Sequence, residues 1–333
     1  FDDGYETPLG VSYDSGNYEA SLDRALEMVD YEGFRTQQEQ ARNEGRYLGL
    51  GLCSYVEISG GAPSAIATTL GARAGLWESA LVRMHPTGKV SVFTGSSTHG
   101  QGHETTFAQL AASELGVPVD DVEVIHGDTD KVQFGTGTFG SRSAAVGGGA
   151  IYLSTDKIKQ KAKKLAAHLL EAAEEDIVFE EGKLFVQGAP AQAKTIQEIA
   201  LAAHVYATNL PDGMEPGMEA TSFFDPSNFT WPAGTHIATV EVAPDTGEVK
   251  LLRYIGVDDV GNVINPMIVD GMVHGGIAQG VGQALQEEAV YDSEGQLLSG
   301  SMLDYAVPTA EQFPSYETDR TVTPSPANPL GIK

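Results

Sequence analysis

The residues best suited to chemistry gather in three glycine-bearing segments. The first, residues 94–106, places His99, Gln101, His103, Glu104 and Thr105 among Gly95, Gly100 and Gly102. A strand-like run (89–93) precedes it and an apolar helical run (107–115) follows. A strand, a glycine turn and a helix N-terminus bring free N–H groups and the positive dipole end to one spot, which suits an anion. The same arrangement also serves as a plain helix cap, and both readings stand. No Gly-Lys-Ser/Thr follows, as a Walker loop requires, and the Gly-x-Gly-x-x-Gly fingerprint is absent.

The second segment, 135–150, joins Gly140, Ser141, Arg142 and Ser143 to the triplet Gly147, Gly148 and Gly149. Three glycines opening a helix cost roughly 1 kcal/mol each against alanine, so something must approach the backbone there. A neighbouring element is one candidate. The hydroxyls and the arginine favour the other: a bulky ligand on the helix N-terminus, with Arg142 and two serines as donors.

The third segment, 258–266, leads into a helix carrying Gly271, Gly275, Gly276, Gly280 and Gly282. Gln279 is the one strong hydrogen-bonding side chain in 275–281, a ligand contact if covered and a surface amide if not. Asp258 and Asp259 are adjacent in a strand-like run, which sends their carboxylates to opposite faces, so no metal is assigned. His99, His103 and His126 fit no zinc spacing, and no Gly-x-Ser-x-Gly elbow occurs.

The elements that must carry these segments follow from periodicity. Residues 1–17 read as a connector. From Tyr18 the spacing of Ala20, Leu22, Ala25, Leu26 and Val29 predicts a helix, and a polar helix over 34–44 is ended by Gly45. A strand is expected over 47–58, a Gly/Pro/Ser loop over 59–64, and another strand from Glu78. Residues 81–90 and 239–249 echo each other as hairpins closed at Thr-Gly. Each leads through glycines to a long helix rich in small residues. The expected fold is therefore α+β, with two lobes of mixed sheet and packed helices. Residues 1–66 form a connecting segment with helices and a strand, 67–215 the first lobe and 216–333 the second, with a loop-rich crossing over 211–226.

Twenty Lys and Arg stand against 46 Asp and Glu, a net charge of -26 spread along the chain, which excludes a nucleic-acid partner and describes a solvated surface. The lone Cys53 can make no internal disulfide or cysteine-ligated metal site, and its apolar surroundings predict an inert core thiol. No run approaches the roughly 20 apolar residues of a membrane span, and the opening residues lack a signal-peptide pattern, so a cytoplasmic protein is expected.

Four runs, in order, resemble the molybdenum hydroxylase large subunits, the family of xanthine dehydrogenases, aldehyde oxidases and carbon monoxide dehydrogenases. They are His-Gly-Gln-Gly-His-Glu-Thr-Thr-Phe-Ala-Gln (99–109), Gly-Ser-Arg-Ser (140–143), residues 258–266 with Gly-Ile-Ala-Gln-Gly (276–280), and Asn-Pro-Leu-Gly-Ile-Lys (328–333). The resemblance covers nearly the whole chain, and the first run looks closer to the carbon monoxide dehydrogenase branch than to xanthine dehydrogenase. It implies a molybdenum-pyranopterin dinucleotide, with cytosine as its nucleotide, whose metal is held by dithiolene sulphurs rather than by protein. It implies cofactor contacts from Gln101, Gly102, His103 and Thr105, from Gly140, Ser141, Arg142 and Ser143, and from Gln279. It further implies oxidation or hydroxylation of a small substrate (carbon monoxide, an aldehyde or a heterocycle), with iron-sulphur and FAD subunits as partners.

By the same resemblance the catalytic glutamate belongs to a Gly-x-Gly-Glu motif expected after Lys333, so no catalytic residue is assigned within these residues. The preceding half of the large subunit, with its substrate-side loop, is expected elsewhere. A chain lacking both should neither retain cofactor nor turn over, and should expose apolar surface where that half docks. Gln101 and Gln279 are expected to converge on one cleft, bordered by the loop 55–62 with Glu57. The alternative function is a non-catalytic dinucleotide-binding or scaffold module of the same fold, distinguished by the lack of a Gly-x-Gly-Glu.

Overall fold

A computed structural model of the chain describes residues 4–8, 10–61, 63–69, 71–205 and 210–333. In chain order the elements are β1 (Tyr5–Glu6), β2 (Ser12–Tyr13), α1 (Tyr18–Val29), α2 (Tyr31–Asn43), β3 (Tyr47–Val56) and α3 (Ser64–Thr69). Then come β4 (Glu78–Met84), β5 (Val90–Thr94), α4 (His103–Leu115), β6 (Val122–Ile125) and α5 (Gly148–Leu169). The strands β7 (Ile177–Glu180), β8 (Lys183–Val186) and β9 (Lys194–Thr195) precede α6 (Ile196–Val205) and β10 (Glu219–Phe224). The chain ends through β11 (Ala233–Val242), β12 (Val249–Asp259), α7 (Pro266–Leu285) and β13 (Glu317–Thr321).

These elements form two compact units, each built from separated stretches of chain. The first holds 16–57 and 232–323; the second holds the described residues up to Ser15, 58–231 and 324–333. The expected first lobe, 67–215, falls inside the second unit. The helices and strand expected within residues 1–66 are α1, α2 and β3, which join the first unit as ten β3 residues find ladder partners on β11.

In the first unit the sheet runs β13-β12-β11-β3, with β12 and β13 parallel and the other pairs antiparallel. One face is covered by α1, whose Ala25 and Val29, spaced i and i+4, pack with Ile237, Ile255 and Val257. Asp30, at φ 51°, ends α1, and its side chain then accepts from Gly33 N–H, so α2 begins at Tyr31, ahead of the expected start. The expectation of a buried Cys53 is corrected: β3 is an edge strand, and the thiol is exposed.

The second unit carries the larger core. Its sheet, β10-β4-β5-β6, is also mixed: β5 and β6 run parallel and the other neighbours antiparallel. The inward residues Ala80, Val82, Met84, Val90 and Val92 meet Phe107, Leu110 and Leu115 of α4 and Ile151, Ile158 and Leu165 of α5. The stretch expected as a loop-rich crossing contains β10, which pairs with β4 over six residues and so closes that edge. Both Thr-Gly turns close antiparallel hairpins, with Gly88 at φ 84° and Gly247 at φ 74°, backbone that favours glycine. A mixed-sheet α+β fold in two lobes is thus the architecture.

Candidate functional site

In the second unit the first two glycine segments lie against each other. A Cβ on Gly95 would sit 2.3 Å from Gly135 Cα and 2.2 Å from Glu78 Oε1, so the contact exists only because both positions are glycine. Thr138 fastens the junction: its hydroxyl donates to Ser97 O at 2.6 Å and bonds Ser143 Oγ at 2.8 Å. The loop after β3 joins the same place. Gly60 N–H donates to Ser141 O and Gly61 N–H to Gly140 O, each at 3.2 Å. Of the expected bordering loop, Ala62 lies outside the described residues, and Glu57 is exposed and belongs to the first unit.

Arg142 organises this junction from within. Its side chain is fully buried and pairs with Glu78 at 3.0 Å. It also donates to Gly61 O at 2.6 Å, Gly137 O at 2.9 Å and Leu76 O, while its guanidinium lies 5.2 Å from the Phe139 ring centroid. Burial pushes the Glu78 carboxyl up and is opposed by the Ser79 N–H and by Arg142; burial likewise lowers Arg142, opposed by Glu78. The guanidinium is committed to protein, so whatever the 140–143 turn offers a ligand comes from its backbone and hydroxyls. Glu78 escaped sequence reasoning because a glutamate opening a strand gives no sign of a buried partner 64 positions away.

Around the same loops several polar atoms remain unspent. His103 opens α4, is buried, stacks on Phe107 at 5.1 Å, and its Nδ1 has no partner. Ser96 Oγ and Thr136 Oγ1 are likewise buried without partners. Burial lowers the pKa of His103, against the pull of Glu104, with His126 and His99 adding to the fall, so its ring is neutral at pH 7. Gly102, at φ 76°, caps α4 without a side-chain bond, which leaves the helix N-terminus to backbone donors. Gln101 turns its Oε1 to His99 N–H and toward Thr98 Oγ1, so its amide NH2 is the group left to reach outward. Thr105 is exposed on the first turn of α4.

The triplet Gly147, Gly148 and Gly149 behaves differently. Added Cβ atoms would meet Ser96 Oγ at 2.6 Å, Leu330 Cδ1 at 2.9 Å and Phe224 Cδ1 at 2.6 Å. These glycines make room for the protein's own side chains, and the ligand reading of the triplet gives way to packing.

In the first unit α7 starts at Pro266, capped by Asn265, whose side chain accepts from Ile268 N–H at 3.1 Å. Gln279 is exposed on it. Among the described residues, Gly271, Gly275, Gly276 and Gly280 have no atom outside their own helix backbone within 4 Å of where a Cβ would lie. Asp258 and Asp259 do face different partners. Asp258 accepts from Tyr55 Oη at 2.5 Å and bonds His236 at 3.0 Å, whereas Asp259 accepts the N–H groups of Gly261 and Thr323. Among the described residues no cluster of three or more metal-ligating side chains occurs, and no helix is long and apolar enough to cross a membrane.

Residues 24–314 match the model of a molybdopterin cofactor-binding domain. The chain is 42% identical to the carbon monoxide dehydrogenase large chain of Hydrogenophaga pseudoflava, over 99% of this chain and 41% of that protein. It is 40% identical to the nicotine 6-hydroxylase large subunit of Paenarthrobacter nicotinovorans, over 99% of this chain and 40% of that one. Its fold superposes on quinoline 2-oxidoreductase from Pseudomonas putida with a TM-score of 0.93 at 41% identity, covering all of this chain and 42% of the other. The chain thus spans about two fifths of the length of the curated relatives it matches.

Proposed function

This chain belongs to the molybdopterin cofactor-binding domain family, and from that premise we propose that it is the cofactor-embracing portion of a molybdenum hydroxylase large subunit. The whole protein is then an oxidoreductase for a small substrate such as carbon monoxide, an aldehyde or a heterocycle, working with iron-sulphur and FAD subunits. The observation that carries this reading is the set of unspent polar atoms at the junction of two glycine loops: neutral His103 Nδ1, Ser96 Oγ and Thr136 Oγ1, beside the open N-terminus of α4.

A pyranopterin dinucleotide is long, anionic and rich in amide-like edges, so it calls for backbone N–H groups, amides and neutral rings rather than a metal cage. When bound, it supplies the two-electron redox chemistry of its molybdenum. This chain's residues then bind and orient. Gly102, His103 and Thr105 offer the α4 N-terminus, Gln101 its amide, and Gly140, Ser141 and Ser143 their turn, while Arg142 holds that turn in place. Gln279 offers its amide from the open glycine face of α7, and cytosine is the nucleotide. Near-equal identities to relatives named for carbon monoxide and for nicotine fit a part that holds the cofactor common to them and leaves substrate choice to residues elsewhere.

The test is the full-length large subunit, co-expressed with its iron-sulphur and FAD subunits. Molybdenum per subunit is measured by mass spectrometry and released nucleotide by chromatography. A double variant, His103→Leu with Gln279→Leu, should drop molybdenum and cytidine monophosphate together by about tenfold, as expected when two hydrogen-bonding contacts are lost. Full cofactor content in a folded double variant would sink the assignment.

A further inference from the structure

A cavity of about 450 Å³ in the second unit, none of whose lining residues belongs to the glycine loops, is formed by the β1–β2 hairpin and lined by Tyr5, Glu6, Tyr13, Asp14, Ser227 and Asn228 among others. Asp14 is 3% exposed. Its Oδ1 accepts the N–H of Ser15 at 2.8 Å, whereas Oδ2 is buried and has no partner. A buried carboxylate oxygen without a donor is costly, and such groups in folded proteins normally have a counterpart.

No such counterpart lines the cavity. Among the described residues that do, none is basic, and the Asn228 amide turns one N–H to Ser12 O at 3.0 Å and accepts from Phe229 N–H at 2.8 Å. The ammonium of Lys333 is tied to Ser15 O at 2.8 Å, and Lys333 is not a lining residue. The walls also carry two phenol rings, a second carboxylate and the Ser227 side chain. Tyr5 and Tyr13 have centroids 6.3 Å apart and planes 59° apart, and Tyr13 is held by Trp231 at 4.5 Å. Aromatic faces beside carboxylates are the environment that attracts a flat or rounded organic cation, because ring quadrupole and charge act together. The charge of -26 raises the local concentration of any cation.

We propose that this pocket binds a guanidinium or alkylammonium group, with Asp14 Oδ2 accepting its N–H, Glu6 adding charge, and Tyr5 and Tyr13 supplying ring faces. The group belongs either to a small free cation or to an arginine or lysine side chain of another polypeptide.

Calorimetric titration of the full chain with methylguanidinium chloride, its neutral analogue methylurea, and the tripeptide Gly-Arg-Gly separates the possibilities. Saturable binding of methylguanidinium in the millimolar range, without binding of methylurea, is expected for a single charge-assisted contact. Asp14→Asn should weaken it about tenfold or more, the loss expected when a charged acceptor becomes neutral. Tyr5→Leu, at a half-exposed ring whose loss leaves the core intact, should weaken it roughly two- to fivefold, the range of an exposed cation–π contact. Binding by both methylguanidinium and the tripeptide upholds the proposal with a protein side chain as source; binding by methylguanidinium alone upholds it with a small cation. Three results overturn it: no saturable binding, binding unchanged in both folded variants, or displacement by magnesium or calcium at lower concentration, which would make this an inorganic cation site.

Discussion

Two glycine-rich helices, α5 at its start and α7 along its length, look alike in sequence and differ in what surrounds them. Side chains of the same unit crowd the glycines that lead into α5: Ser96, Leu330 and Phe224 each come within 3 Å of an added Cβ. Among the described residues the α7 glycines 271, 275, 276 and 280 face nothing beyond their own helix backbone within 4 Å. A helix of such apolar composition is normally covered, yet only Ile277 and Gly282 of α7 are buried, and Met267 and Met272 are 76% and 56% exposed. A run of glycines therefore records a close approach without saying what approaches. Within this chain the first cluster has found its neighbour, and under the proposed function the second awaits a cofactor and the rest of the subunit.

The largest expected effect lies beside the packed cluster. Arg142→Leu removes the cation paired with buried Glu78 and frees Gly61 O, Gly137 O and Leu76 O at once. Breaking one partner from a buried pair costs about 3–5 kcal/mol. Denaturant unfolding of the chain should show that loss, and a variant within about 1 kcal/mol of wild type, the scale of an exposed pair, would mean that Arg142 does not hold the turn.

Next comes Gly149→Ala. Alanine gains about 1 kcal/mol of helix propensity, but its methyl would lie 2.6 to 3.0 Å from Cδ1, Cε1 and Cγ of Phe224. Phe224 sits on β10, paired with Glu78 of β4, so the ring cannot simply swing away. Overpacking of about 1–3 kcal/mol should prevail, giving net destabilisation. An equal or higher melting temperature would show the cluster to be looser than its geometry.

The contrast also marks what was legible in the sequence. Helices α1 and α2, both Thr-Gly hairpins and the α+β class were readable because periodicity and turn chemistry are local properties. Gln101, His103 and the 140–143 turn stood out because glycine, amide and imidazole cluster within a few residues. The partnership of Glu78 with Arg142, the fit of Gly95 against Gly135 and the exposure of Cys53 were not readable, since each depends on which distant strand or loop becomes a neighbour. The grouping of 16–57 with 232–323 was hidden for the same reason: strand pairing across such separation leaves no trace in local pattern.

A smaller effect is expected from His103, next to the packed cluster but with an unspent Nδ1. Burial lowers its pKa below the usual value of 6.5, so below that pH the unfolded chain takes up a proton that the folded chain resists. Its contribution to stability is complete above pH 6.5 and declines as pH falls through the lowered folded value. Melting temperatures followed from pH 7.5 to 5 should fall less steeply in His103→Gln than in wild type. Parallel curves would show that the imidazole is not protected from protonation.

The smallest effect has the opposite sign and tests the open helix directly. At Gly275 of α7 nothing lies within 4 Å of an added Cβ, and the backbone is helical. Gly275→Ala therefore meets no clash in this chain, while it reduces the freedom of the unfolded state and favours the helix, together worth about 0.5–1 kcal/mol. Urea unfolding of the chain should show this gain where Gly149→Ala shows a loss, so the same substitution moves stability in opposite directions on two helices. In the full-length subunit with its partners the sign should change in a second readout: the added methyl occupies the face proposed to meet the cofactor, and molybdenum content should fall although the protein is no less stable. If Gly275→Ala destabilises the chain itself, the α7 face is already covered within its own unit. If it leaves both stability and molybdenum content unchanged, the glycine face is open but faces no ligand.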